Sequence, residues 1–418
     1  MAELPTALQT ASDAVPLSGG ALLEVAADWH PAARSDVAQP ARITRDVALP
    51  TALSDRRCLV VQGVRRCGKS TLLRQLPERY ALDAERCLFI NFEDPRLAGA
   101  LTWPTLDALA DAFDEAVGTG APRTLFLDEI QHVEGWQRWL RSQLDRPAGR
   151  QVVVSGSNAH LLSGELGSSL TGRHLTVELY PFSLPEAQRL RPELTLRQWL
   201  TTGGFPEALL DPDGALLVRQ TFSDIVERDV RERVAARSSR ALRQVAQMVF
   251  EAAGSELSAR RLAAAAGVAT DTVLGWLDAL EAAYLCFRVP RFAWSERKRS
   301  HGPTKWYPID TGMRRLVSTP TGADRGKGLE AAVHLALRRR FGPVTHWREG
   351  DAEVDFVIQR GHAVLPIQVT WDEPQPRHQR GLDVFYGRFP TALDAVFITA
   401  EAFEQDPNIE DLPLSPSV

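Results

Sequence analysis

The sequence predicts an α/β chain, and two observations carry that expectation. Four short apolar runs, CLVVQ from residue 58, CLFINF (87–92), TLFLDEI (124–130) and RQVVVSGS (150–157), alternate with helical stretches over the first 180 residues, the pattern of a parallel sheet covered on both faces. Strand runs then stop beyond Leu184 and return as EVDFVIQ, AVLPIQVTW and AVFITA in a second, smaller α/β unit between about 325 and 400.

The elements come in order along the chain. Residues 1–52, rich in Ala, Pro and Asp, read as an arm packed on the adjoining α/β core, with ALLEVAADW able to form a turn or two of amphipathic helix. That core occupies 53–180, with LDALADAFDEAVG and WQRWLRSQLD as helices between strands. PEAQRLR, LRQWLTT and RQTFSDIVERDVRERVAAR favour helices over 181–240, a helical subdomain. Residues 241–312 read as three helices, then two strands, YLCFRVPRF and KWYPID, around a basic loop, the order of a winged helix-turn-helix. GLEAAVHLALRRRF opens the last α/β unit, and the acidic tail 401–418 holds nothing that demands a fold.

Composition narrows the function classes. With 418 residues and 44% hydrophobic content the chain can bury about three domains' worth of core. A net charge of −5 excludes a polycationic nucleic-acid coat. No apolar stretch approaches the ~18 residues of a membrane span, and the N-terminus lacks the order of a signal peptide, so the expected location is cytoplasmic. Cys58, Cys67, Cys87 and Cys286 show no CxxC spacing and suit neither a disulfide framework nor a zinc knuckle.

Gly63-Val64-Arg65-Arg66-Cys67-Gly68-Lys69-Ser70 matches GxxxxGK[ST] and lies between a predicted strand and a predicted helix. Its glycines let backbone N–H groups face a polyphosphate at the positive end of the helix. Lys69 would reach the β- and γ-phosphates and the Ser70 hydroxyl would ligate Mg²⁺, with Thr71 beside it in the nucleotide-binding set. The strand ending in Asp128 and Glu129 supplies the partners: Asp128 to hold Mg²⁺, Glu129 to orient the attacking water. The next strand ends in Ser155, Ser157 and Asn158, one of which either meets the γ-phosphate or water, with Ser157 taken into the site, or simply makes a turn. Arg173 is a candidate to meet a neighbouring subunit's γ-phosphate or to sense nucleotide in its own, against the plain reading of a surface arginine.

These motifs, GVRRCGKSTLL and FLDEIQHVEGW, succeeded in order by SGSNAHLL, LTGRH, YPFSLPEA, GGFPEA, ERDV and EVDFVI, make residues 45 to 400 resemble the prokaryotic AAA+ ATPases with a C-terminal DUF4143 domain. The resemblance implies a P-loop AAA+ core with ATP and Mg²⁺ as cofactors, a helical lid, a winged helix and a C-terminal restriction-endonuclease-like, PD-(D/E)XK type module. It also implies that Gly204-Phe205-Pro206 is a Gly-x-Pro element near the nucleotide, with Pro206 in the binding set, although Gly-Gly before Pro is turn chemistry in any case.

By the same resemblance Glu330 and Asp355 stand at two nuclease positions, while Gln368 and Thr370 stand where an acid and a lysine are expected. A neutral amide binds Mg²⁺ weakly and a hydroxyl brings no positive charge to a phosphate, so the expectation is a degenerate site. Asp372 and Glu373 are the available replacement ligands.

Two readings of the remaining surface stay open. The loop 291–305 carries Arg291, Arg297, Lys298, Arg299 and Lys305 with Trp294, suited to DNA. The presumed recognition helix TDTVLGWLDALEAA carries only Asp271, Asp278 and Glu281, which repel phosphate. The first reading is an ATP-driven enzyme acting on nucleic acid; the second is a nucleotide-switched module that binds protein, with a homo-oligomer compatible with both.

Overall fold

The computed structural model describes residues 17–34, 43–146, 148–159, 161, 170, 172–234, 236, 238–295, 297, 299, 303–318 and 324–415. Two compact units form: Met1–Arg42 with Asp46–Gly63 and Gly68–Leu179, and Ile43–Arg45 with Val64–Cys67 and Tyr180–Val418.

In the first unit β1 (Cys58–Gly63), β2 (Cys87–Asn91), β3 (Arg123–Asp128), β4 (Arg150–Gly156) and β5 (His174–Leu179) form one parallel sheet in the order β2-β3-β4-β1-β5. β1 and β3 are buried at every position, which is why each reads as a continuous apolar run rather than an alternating one. Helices Lys69–Arg79, Trp103–Val117 and Trp136–Asp145 cover the sheet. In the arm, Ser18 caps helix Gly19–Trp29 by accepting a bond from the Ala21 N–H, and Leu22 and Val25 join the core with Leu106 and Phe113. A Cβ on Gly19 would come within 2.7 Å of the Ala112 Cβ, so only glycine permits that approach.

The second unit begins with helices Leu184–Leu190, Leu196–Thr202 and Pro206–Leu210, the first two opened by capping boxes, Ser183 with Glu186 and Thr195 with Gln198. The predicted long helix runs as Gly214–Asp224, a π-helical turn at Ile225–Val230 and Arg231–Val234. Helices Ser239–Glu251, Ala259–Ala266 and Thr270–Ala282 precede β7 (Cys286–Pro290) and β8 (Thr304–Pro308). A two-residue strand, β6 (Glu256–Leu257), too short to leave a periodic signal, completes an antiparallel sheet in the order β6-β8-β7. Helices Thr311–Val317 and Asp324–Phe341 lead to a mixed sheet, β12-β11-β10-β9, built from β9 (Thr345–Glu349), β10 (Ala352–Arg360), β11 (Ala363–Val369) and β12 (Val396–Ile398). Helix Pro376–Arg388 packs on β10.

The acidic tail corrects the sequence expectation. Ala400–Gln405 is helical, Phe403, Ile409 and Leu412 are buried in the core of the second unit, and Glu404 accepts a bond from the Leu196 N–H. Three spaced apolar side chains outweigh the surrounding charge because burying each contributes about 1.5–3 kcal/mol.

Candidate nucleotide site

β1 ends at Gly63, and Gly68 takes the left-handed conformation (φ 99°) immediately before helix Lys69–Arg79, the turn that a side chain would disfavour. Lys69 is buried; its Nζ donates to the Gly63 carbonyl at 3.1 Å and lies 3.4 Å from the Glu129 carboxylate. Val64 and Cys67 are buried, Thr71 is exposed, and Arg65 donates to both Asp229 oxygens at 3.1 and 2.9 Å. The Arg66 guanidinium is exposed, 3.6 Å from Glu207.

Asp128 ends β3 at the same edge. Its carboxylate accepts from Ser70 Oγ at 2.5 Å, from Asn91 Nδ2 at 3.3 Å and from Ser155 Oγ. β4 lies between β1 and β3, so Ser155 is the neighbour that reaches Asp128 from the intervening strand. Burial, then repulsion from Glu129, raises the Asp128 pKa, while Ser155, Ser70 and Lys69 pull it down. Ser70 and Asp128 offer hard oxygen donors side by side, the donor chemistry Mg²⁺ takes.

Glu129 is held in a left-handed conformation (φ 52°), its N–H donating to Ser155 Oγ at 3.2 Å and its carboxylate accepting from Gln131 Nε2. Ser157 accepts from Gln131 at 3.5 Å, so of the serines at the end of β4 it is Ser155 that touches the acid pair. Asn91 and Gln131 are site residues that sequence reasoning missed. Asn91 had a usable signal, because it ends the strand paired with β3 and sits in register with Asp128.

Arg173 stands elsewhere. It precedes β5, whose first residue pairs with Cys58 at the start of β1, so the parallel sheet places it about 20 Å from the Gly63 end at ~3.3 Å per residue. Its guanidinium pairs with Asp145. The expectation that Arg173 senses nucleotide in its own subunit is therefore corrected. In the second unit Pro206 starts a helix, and the preceding Gly204 exchanges bonds with neighbours: its N–H donates to Asp310 at 2.7 Å and its carbonyl accepts from the Phe182 N–H at 2.6 Å.

The C-terminal carboxylates depart from the sequence expectation. Lys305, assigned to the basic loop, is buried on β8 with its Nζ 2.6 Å from Glu353, 3.2 Å from Glu330 and 3.8 Å from Asp355. Tyr307 donates to Glu330 at 2.6 Å. Burial and the nearby Glu330 raise Asp355 to about 7, although Lys305 and the Val369 N–H oppose the shift. The Gln368 amide donates to the Glu353 carbonyl at 2.7 Å. A positive charge thus reaches these carboxylates from β8 rather than from position 370, and the loop 291–305 loses one of its cations.

Other cations of that loop are also engaged. Arg299 donates to the Ala293 carbonyl at 2.6 Å and to Gln359 at 2.8 Å, while Lys298 lies outside the described residues. Trp294 is 53% exposed. On helix Thr270–Ala282 the acids Asp278 and Glu281 pair with Arg288, and Leu274 is 48% exposed. Among the described residues no helix is long and apolar enough to cross a membrane.

Comparisons with known proteins cover the same segments. Residues 55–188 match an AAA domain model, 193–323 a domain of unknown function (DUF8612) and 325–415 a domain of unknown function (DUF4143). An uncharacterised protein of Haemophilus influenzae is 27% identical over 339 residues, covering 77% of this chain and 84% of the relative. One from Methanocaldococcus jannaschii is 28% identical over 378 residues, covering 84% and 82%. Among solved structures, a Walker-type ATPase of Pyrococcus abyssi aligns with 62% of this chain and 90% of its own at 15% identity and a TM-score of 0.42. AMPPCP-bound DnaA from Aquifex aeolicus aligns with 55% and 82% at 13% identity and 0.28. The AAA match spans Gly63–Ser70, Asp128 and Glu129, and the DUF4143 match spans Glu330, Glu353 and Asp355; the chain carries an AAA domain and a C-terminal DUF4143 domain.

Proposed function

We propose that the chain is a Mg²⁺-dependent ATP hydrolase whose nucleotide state is read by a protein partner. The observation that carries hydrolysis is the pairing of Lys69 with Glu129 at 3.4 Å, beside the Ser70–Asp128 contact at 2.5 Å, all at one sheet edge. Lys69 binds the β- and γ-phosphates, Ser70 and Asp128 hold the metal, and Glu129, fixed by Ser155 and Gln131, orients and polarises water for attack. Mg²⁺ supplies charge neutralisation on the phosphates.

Helix Thr270–Ala282 favours the protein reading. In a winged-helix reading it is the recognition helix, yet its exposed positions are Thr270, Asp271, Thr272, Leu274, Gly275 and Asp278, with no cation for a phosphate backbone. The nucleic-acid reading retains Arg291, Arg297 and the exposed Trp294. The C-terminal site does not cleave DNA on this proposal, because the Lys305 ammonium already pairs with Glu330 and Glu353 where a divalent metal would need free carboxylate oxygens.

Phosphate release and calorimetry test the proposal. Lys69→Ala is expected to abolish ATP binding or turnover, and Glu129→Gln to keep ATP bound while slowing hydrolysis on the order of 100-fold or more. Unchanged turnover in either variant would sink the site. Turnover indifferent to duplex and single-stranded DNA is expected; stimulation by DNA returns the chain to the nucleic-acid reading.

A further inference from the structure

Helices Leu196–Thr202 and Thr311–Val317, the start of helix Asp324–Phe341, and Trp371 after β11 line a cavity of about 190 Å³ in the second unit. Its described lining carries Arg197, Arg314, Arg315 and Arg325 and no acidic residue. In a chain with a net charge of −5, four arginines converging without a carboxylate are not a reflection of bulk composition. Arg314 is structural, buried with its Nε on the Phe250 carbonyl at 3.2 Å. Arg197, Arg315 and Arg325 are exposed, and among the described residues none is in a salt bridge. The Arg197 guanidinium lies over the Trp371 ring, 5.9 Å from its centroid.

Thr311, buried in the same lining, has its Oγ1 shut away from solvent without a hydrogen-bond partner. The wall is rigid. Asp310 accepts from the Gly204 and Met313 N–H groups, each at 2.7 Å, and a Cβ on Gly312 would meet the Thr202 carbonyl at 2.1 Å. The volume far exceeds the ~10–15 Å³ that one water needs, and falls below the ~300 Å³ at which pockets engulf a whole drug-sized ligand.

We propose that this cavity binds a phosphate dianion, with Arg197, Arg315 and Arg325 as charged donors. Guanidinium forks match the phosphate oxygens, and the small volume admits the head group while the rest of the ligand stays outside. The dianion is either inorganic phosphate or the phosphoryl group of a small molecule, or the phosphorylated end of a nucleic acid.

Calorimetry on the full-length Lys69→Ala protein separates this cavity from the nucleotide site. Three probes are titrated: inorganic phosphate, a short oligonucleotide with a 5′-phosphate, and the same oligonucleotide without it. Saturable binding of a phosphate probe is expected, weakened at least tenfold in Arg197→Ala/Arg315→Ala, with circular dichroism confirming the fold. Arg315→Glu, a charge reversal at an exposed position, is expected to abolish it. The tighter of the two phosphate probes identifies the source. The proposal is overturned if neither phosphate probe binds, if binding ignores the arginine variants, or if the unphosphorylated oligonucleotide binds equally well, which would mark a backbone contact instead.

Discussion

Lys305 is almost wholly buried, with 2% of its side chain exposed, and its ammonium is shared among Glu330, Glu353 and Asp355. Removing one partner from such a set strands uncompensated charge at a cost of about 3–5 kcal/mol. Lys305→Met is therefore expected to lower the urea midpoint strongly at pH 8, and to do so less at pH 5, where protons replace the ammonium on the carboxylates. A loss independent of pH would show that packing, not charge, is at stake. Asp310 and Asp355 give the wild-type protein a pH dependence of its own. Burial raises Asp310 to about 6 and Asp355 to about 7, above the ~3.9 of an unfolded Asp, so the folded state keeps these protons longer. Their contribution is intact below about pH 4 and is lost as pH rises through about 6 and 7. A thermal midpoint that falls over this range, less steeply in Asp310→Asn, is the expected result. Lys69, Ser70, Asp128 and Glu129 were legible in the sequence because a phosphate loop and a strand end fix their positions locally. Lys305 was not, since its partners lie 25 residues and more along the chain and its neighbours made it look like one cation of a solvated loop.

Short helices are joined by glycines that no periodicity reports. Gly312, on helix Thr311–Val317, faces the Thr202 carbonyl so closely that an added Cβ would sit 2.1 Å away, whereas Gly275, inside helix Thr270–Ala282, has nothing within 4 Å of that position. Alanine should therefore act with opposite signs at the two sites. Gly312→Ala is expected to destabilise by about 1–3 kcal/mol through overpacking, and Gly275→Ala to stabilise by about 0.5–1 kcal/mol through helix propensity. Urea unfolding of both variants checks this; a stabilised Gly312→Ala protein would disprove the tight contact. Elements with strong local signals, β1 to β4 and the long helices, were readable for the reason that their burial is nearly continuous or periodic. The tail misled because charge dominates its composition, while its fold depends on Phe403, Ile409 and Leu412 reaching a distant core.

At the scale of the molecule, the open matter is whether one copy completes another's nucleotide site. Arg173 lies at the edge of the parallel sheet remote from Lys69 and is half-exposed beside Asp145, in an exposed ion pair worth about 0–1 kcal/mol. Such a weak pairing can be exchanged for a phosphate contact, and within one subunit the strand length prevents that contact. Arg173→Ala is thus expected to leave ATP affinity within about twofold, ~0.4 kcal/mol, of the parent. A larger loss in a monomeric sample would contradict the sheet placement. If turnover nevertheless falls, the arginine acts on a neighbour, and mixing Arg173→Ala with Lys69→Ala protein must restore hydrolysis at interfaces where an intact arginine meets an intact phosphate loop. Full turnover in Arg173→Ala alone, or no recovery once mixed oligomers are shown to form, removes the residue from catalysis and leaves Lys69 and Glu129 to act within each subunit.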